Sequence, residues 1–201
     1  MAQDYKLNQS ELTRLKRQQK LYTHYLPVLK LKQEQLQLEY NRIHKALMLA
    51  EQQRLSALAR LEPYVKLLSD SYGLNINDVV VIEQIKSYQR SVAGVNIKTL
   101  DSIRFKAIDL PYFQTQAWLI RVLPIVHLFL HAEAHVSFLE QERDLIKREL
   151  RKAGQKVNLF DLVLIPDNKH AIKRIKISLG DEQVASISRG KIAKARVSYE
   201  H

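Results

Sequence analysis

The chain has 201 residues, no cysteine and a formal net charge of +11, from 32 Lys and Arg against 21 Asp and Glu. That length holds one domain or two small ones, and without Cys there are no disulfides, thiolate nucleophiles or Cys-ligated zinc and iron–sulfur centres. Five Gly and five Pro among 46% apolar and 26% charged residues exclude a collagen-like or disordered chain.

The positive charge sits at the ends: net +5 over residues 1–65, −1 over 66–142 and +7 over 143–201. A surplus of this kind speaks of partners: nucleic acid, an anionic membrane face or an acidic protein surface. Residues 1–10 lack the apolar core of a signal peptide. The longest nearly apolar run, Val122–Leu130, contains His127 and is too short to span a bilayer, so a soluble or at most peripheral chain is expected.

Residues 1–69 predict a helical arm from about Asn8 to about Ser69. Leu12, Leu15, Tyr22, Leu29, Leu36, Tyr40, Ile43 and Leu47 recur at the 3,4 spacing of a coiled-coil seam, with Gln19, Gln33 and Arg54 as polar members. Gly is absent, and good helix formers dominate. Ser10 is the expected N-cap, with Asn8 as the other candidate. Residues 70–112 read as a small strand-containing head. Tyr72-Gly73 and Asn75–Asp78 are turn chemistry. The runs Asp78–Ile82, Gly94–Ile97 and Ile103–Ile108 suggest two or three short strands, closed by Pro111.

Residues 113–201 predict a second arm from near Gln114. Its seam is Trp118, Val122, Ile125, Phe129, Val136, Leu139, Ile146 and Leu150, with Arg143 as a polar member. Ile172, Ile175 and Leu179 continue a helical stripe. Beyond Gly180 the tail turns polar, and the basic stretch Arg189–Arg196, with Gly190 inside it, is expected to fray. A lone helix of about 60 residues would span about 90 Å and bury nothing. The arms therefore need each other. The expected fold is mainly α, a long antiparallel two-helix coiled coil with the strand-containing segment at its hairpin end. Setting Leu61 opposite Trp118 puts Pro27 near Lys152 and Gly154, where both arms would bend, and Asn8 near Ala171.

Motifs for chemistry are few. There is no phosphate-binding glycine loop, no HExxH and no GxSxG. No catalytic residue, cofactor site or metal site is expected. His127, His131 and His135 share one helix face, off the seam, and read as a solvated or partner-facing stripe. Glu140 and Glu142 read as solvated surface. The basic groups Arg14, Lys16, Arg17 and Lys20, and Lys147, Arg148, Arg151 and Lys152, suit a solvated flank or an acidic protein surface. Without interleaved aromatics or a reading motif, nucleic acid is not the expected partner.

Two segments resemble a known family. Leu29-Lys30-Leu31-Lys32 followed by Leu36 resembles the LLKxKRxxL block of the D subunit of V-type and A-type rotary ATPases. Val157-Asn158-Leu159-Phe160-Asp161-Leu162-Val163-Leu164-Ile165-Pro166, then Ile172, Ile175 and Leu179, resembles that family's VNALExVxIPxLxxTIxxIxxxL block. The chain departs from the pattern at Gln33, at Pro27, at Asp167–His170 and after Glu182. The resemblance implies the central rotor shaft, a non-catalytic component without cofactor that couples ATP hydrolysis or synthesis to ion transport. It implies as partners the hexamer of A and B subunits, the F subunit and the d-type C subunit. Arg14, Lys16, Arg17, Lys20, Lys173 and Arg174 are then expected to face the hexamer bore. The complex would lie at the cytoplasmic side of a bacterial cell membrane, with no direct insertion by this chain. A generic basic coiled-coil scaffold and a nucleic-acid-binding hairpin are the alternatives that the residues alone leave open.

Overall fold

The computed structural model describes residues 5–66, 80–106 and 117–199. Helix α1 (Gln9–Leu61) begins where the Glu11 N–H donates to Asn8 Oδ1 at 2.8 Å. Asn8 rather than Ser10 is the cap, because the helix already begins at Gln9 and Ser10 lies inside its first turn. The helix passes unbroken through Pro27 and ends in a 3-10 turn, Glu62–Tyr64, where Pro63 has no N–H to extend it.

Strands β1 (Ile82–Val92) and β2 (Val95–Phe105) form an antiparallel hairpin. Ala93 and Gly94 connect them with φ of 50° and 77°, the two left-handed residues of a primed two-residue turn. The sequence reading opens a strand at Gly94 and finds none over Glu83–Val92. That strand lies mostly exposed, so it carries no apolar alternation to betray it. Val80 and Val81, expected in a strand, precede β1. The expected turn at 72–78, the end of the run 103–108, Pro111 and the boundaries at 69/70 and 112/113 lie outside the described residues.

Helices α2 (Ala117–Asn158) and α3 (Ile165–Tyr199) are joined by one π-helical stretch, Leu159–Leu164, with the Ile165 N–H donating to the Phe160 carbonyl. Pro166 accounts for the wide turn: its ring has no N–H and would collide with the carbonyl four residues back in a regular helix. Helix α3 then runs through Gly180 and Gly190 to Tyr199, and 181–196 are all exposed. The expected fraying past Arg189 is absent, because Lys, Arg and Ala around Gly190 favour helix more than one glycine opposes it. From Trp118 to Arg196, one 18-residue window has a mean hydropathy of 1.4, enough by length and composition to cross a membrane; 22% of that window is buried within the protein.

The chain divides into two compact units, residues 1–33 with 152–201, and residues 34–151. In the first, Leu12 and Leu15 pack with Ala171, Ile172 and Ile175, and Tyr5 and Leu179 close over them. Buried Asn168 donates through Nδ2 to the Leu15 carbonyl at 3.1 Å. Tyr22 and Phe160 meet edge to face, with ring centroids 5.4 Å apart. In the second, Leu36, Ile43, Leu47, Ala50 and Ala57 of α1 are buried, as are Val122, Val126, Val136, Leu139 and Ile146 of α2, with Val95 and Ile97 of β2. In both units the helices run antiparallel. Their register differs from the expected one. Arg54 meets Glu133 rather than Ile125, and Gly154 lies against Gln33 rather than Pro27. That is a slip of about two turns. Aligning the arms by their ends fails because buried side chains, not the connection, fix the register.

A Cβ on Gly154 would meet only Gln33 Nε2, at an ordinary 3.5 Å. Gly154→Ala should therefore stabilise the protein by about 0.5–1 kcal/mol through helix propensity, raising the calorimetric melting point by about 1–4 °C. A lower melting point would contradict the open packing at this site.

Candidate functional site

Within the second unit, one side chain of the hairpin reaches both long helices. Arg90 of β1 lies between two acids from different helices. Its Nη1 stands 2.6 Å from Glu39 Oε1 of α1, its Nη2 donates to Glu142 Oε2 of α2 at 3.0 Å, and its Nε donates to Thr99 Oγ1 of β2 at 3.1 Å. Glu39 and Glu142 are 9% and 3% exposed. Burial pulls the Arg90 pKa down, but the hydrogen bonds to Glu39 and Glu142 outweigh it and hold it above the ordinary arginine value. Arg42 adds a second cation at 3.6 Å from Glu39, so charge in this cluster is balanced.

Sequence reasoning missed this lock. It treats Glu142 as solvated and puts Arg143 on the seam. In the structure Glu142 is buried, while Arg143 pairs with its neighbour Asp144 at 2.9 Å. Glu142 lies three residues after Leu139 and four before Ile146, as good a seam position as Arg143, and that spacing was the available signal. Glu140 is exposed, as expected.

The histidine stripe also serves the hairpin. His127 stacks on Phe105 of β2, with centroids 4.1 Å apart and planes within 9°. His127 and His135 are half-buried and His131 is exposed, so the expected solvated stripe is only partly so. Burial lowers the pKa of His127, and burial, then His131, lowers that of His135 against the opposing effect of Glu142. Among the described residues no group of three or more His, Asp or Glu is placed to hold a metal ion.

The expected seam residues Leu12, Leu15, Leu36, Ile43, Leu47, Val122, Val136, Leu139 and Ile146 are buried, and Tyr22, Leu29, Tyr40, Ile125, Phe129 and Leu150 half-buried. In the first unit Arg14, Lys16, Arg17, Lys20, Lys173 and Arg174 are all exposed. Arg14 is tied to Glu11 by a paired contact, which raises the arginine pKa. Lys16 and Lys20 flank Gln19 on one side, and Lys173 and Lys176 on the other.

The two sequence blocks singled out above meet in this unit. Lys30 Nζ binds Asp161 Oδ2 at 2.9 Å, an exposed pair worth about 0–1 kcal/mol. Val157, Ile165, Ile172 and Ile175 point inward, Lys32 and Pro166 are half-buried, and Asn158 is exposed. The π-helical stretch turns Leu159, Leu162 and Val163 outward, with Leu162 70% exposed. Leu21, Tyr25, Val28 and Leu31 of α1 are exposed in the same unit.

The family model for the D subunit of ATP synthase matches residues 11–195, both blocks included. The chain belongs to the ATP synthase D-subunit family. It is 30% identical over 190 residues to the V-type ATP synthase D subunit of Borreliella burgdorferi, covering 94% of this chain and 93% of that protein. It is 24% identical over 198 residues to the V-type ATP synthase D subunit of Chlamydia muridarum, with 98% of each chain covered. The counterpart in Chlamydia abortus is 28% identical over 200 residues, covering 96% of this chain and 90% of that protein. A family member with two long helices and a small antiparallel sheet between them in sequence matches the expected fold class.

Two outcomes test this site. Arg90→Met should leave Glu39 and Glu142 buried without their shared cation and cost about 3–5 kcal/mol in urea unfolding; a loss below about 1 kcal/mol would show that the lock contributes little. The histidines give a pH effect. Their pKa values in the fold lie below the ordinary value of about 6.5, so their contribution is intact above that pH. As pH falls below it the unfolded chain binds protons first, and stability is lost. The melting temperature should drop between pH 7 and pH 5, and the combined His127→Gln and His135→Gln variant should flatten that drop.

Proposed function

We propose that this chain is the central rotor shaft of a V/A-type ATPase. It transmits torque between a hexamer of A and B subunits and an ion-translocating membrane ring. It contributes no catalytic group, works at the cytoplasmic side of the membrane and does not insert into it. The F subunit and the d-type C subunit are its other partners.

The match to the D-subunit family along 11–195 carries this reading. The surface of the first unit supports it. A helix pair there presents exposed cations beside exposed Leu21, Tyr25, Val28, Leu31 and Leu162. Such a surface suits a surrounding protein collar: the apolar groups give shallow contact, and each exposed ion pair is worth only about 0–1 kcal/mol, too little to trap a turning shaft. Lys173 and Arg174 of α3 extend the basic face of Arg14, Lys16, Arg17 and Lys20 on α1 in the proposed bore.

Replacing Arg14, Lys16 and Arg17 with Ala should leave the helical circular dichroism unchanged and lower ion pumping per ATP hydrolysed several-fold in the reconstituted complex. Unaltered pumping and unaltered assembly would remove these residues from the bore.

A further inference from the structure

The second unit has an open cleft of about 730 Å³ between β2 and α2. One wall is Asn96, Ile97 and Lys98 near the hairpin turn. The other is α2 from Gln141 to Arg148. The strand register fixes what the β2 wall offers. Val92 pairs with Val95 across the two-residue turn, and Arg90 with Ile97. In an antiparallel ladder these pairs exchange hydrogen bonds, and the residues between them turn their peptide groups the other way. The N–H and C=O of Asn96 and Lys98 therefore face the outer edge of β2, and among the described residues no third strand pairs with that edge.

The charges on the cleft are unequal in availability. Its acids are engaged: Glu142 with Arg90 at 3.0 Å and Asp144 with Arg143 at 2.9 Å. Its cations Lys98, Lys147 and Arg148 are exposed, and no ion pair joins them to any described residue. Half-buried Leu145 supplies apolar surface between them, while Ile97 is fully buried behind the β2 wall.

We propose that this cleft receives an extended acidic segment of a partner protein, which adds to the outer edge of β2 as a third strand. Main-chain bonds to Asn96 and Lys98 give it register. Carboxylates on the face that Lys98 shares with Asn96 meet Lys98, the side chains between them, on the face turned to α2, lie on Leu145, and Lys147 and Arg148 add attraction at the rim of the cleft. Strand addition also resolves a liability of the hairpin, since an uncovered edge invites pairing with any extended chain. The proposal stands on the second unit alone and is independent of the bore assignment in the first.

The probe is a fluorescein-labelled octapeptide of alternating Glu and Val, titrated with the full chain and read by anisotropy at low salt. The acidic peptide should bind, and its Lys-Val counterpart should not. Methylating alternate backbone nitrogens of the peptide should weaken binding at least tenfold, because the added strand loses its donors. The combined Lys98→Glu and Arg148→Glu variant should weaken it by a similar factor, whereas Lys191→Glu with Lys194→Glu on exposed α3 should leave it unchanged. No binding of the acidic peptide overturns the proposal. So does equal binding of the methylated peptide, which needs no variant and does not depend on the folding of one. Tight binding of a single-stranded oligothymidylate that is lost in the Lys98→Glu and Arg148→Glu variant, with no binding of the peptide, would assign the cleft to nucleic acid instead.

Discussion

A helix of 53 residues such as α1 cannot hold itself in water; it must bury a stripe along most of its length. That requirement organises the molecule. Leu12 and Leu15 find α3, and Leu36, Ile43 and Leu47 lie buried in the unit they share with α2. Each unit is thus an antiparallel helix pair with a narrow core. A narrow core leaves much apolar surface outside, which is why Leu38, Leu49 and Leu162 are more than half exposed. A surface of that composition is normal for a chain whose working state is inside an assembly.

The hairpin obeys a second constraint. Two strands alone are marginal in water, and β1 is nearly all exposed. The hairpin is held by a few contacts of high specificity: Val95 and Ile97 in the core, Phe105 on His127, and Arg90 between Glu39 and Glu142. Buried ions cost desolvation, so such a cluster favours one docked geometry more than it adds net stability. It ties α1, α2 and the sheet together at a single guanidinium.

What the sequence made legible follows from periodicity. Long 3,4 repeats announce helices however the ends are capped, and in the first arm the absence of glycine agrees with them. Register is not periodic information, because a shift by whole turns preserves the stripe; the positions of Arg54 opposite Glu133 and of Gly154 beside Gln33 had to come from packing. The strand Ile82–Val92 was hidden because an exposed strand needs no alternation. Its turn was hidden because Ala93 occupies a left-handed position where Asn is the usual signal. The basic residues of the proposed bore were visible as a charge surplus at the chain ends. The Arg90 lock was not, because its three charges come from positions 39, 90 and 142 and only the fold brings them together.

The central claim is that this chain turns inside its complex. The sequence has no cysteine, so a single cysteine introduced at an exposed position of β1, such as Ser87→Cys, labels one site on this chain. With the A/B hexamer fixed to a surface and a bead on that cysteine, the account predicts unidirectional rotation of the bead when ATP is added. A bead that stays fixed while the same complexes hydrolyse ATP would contradict it.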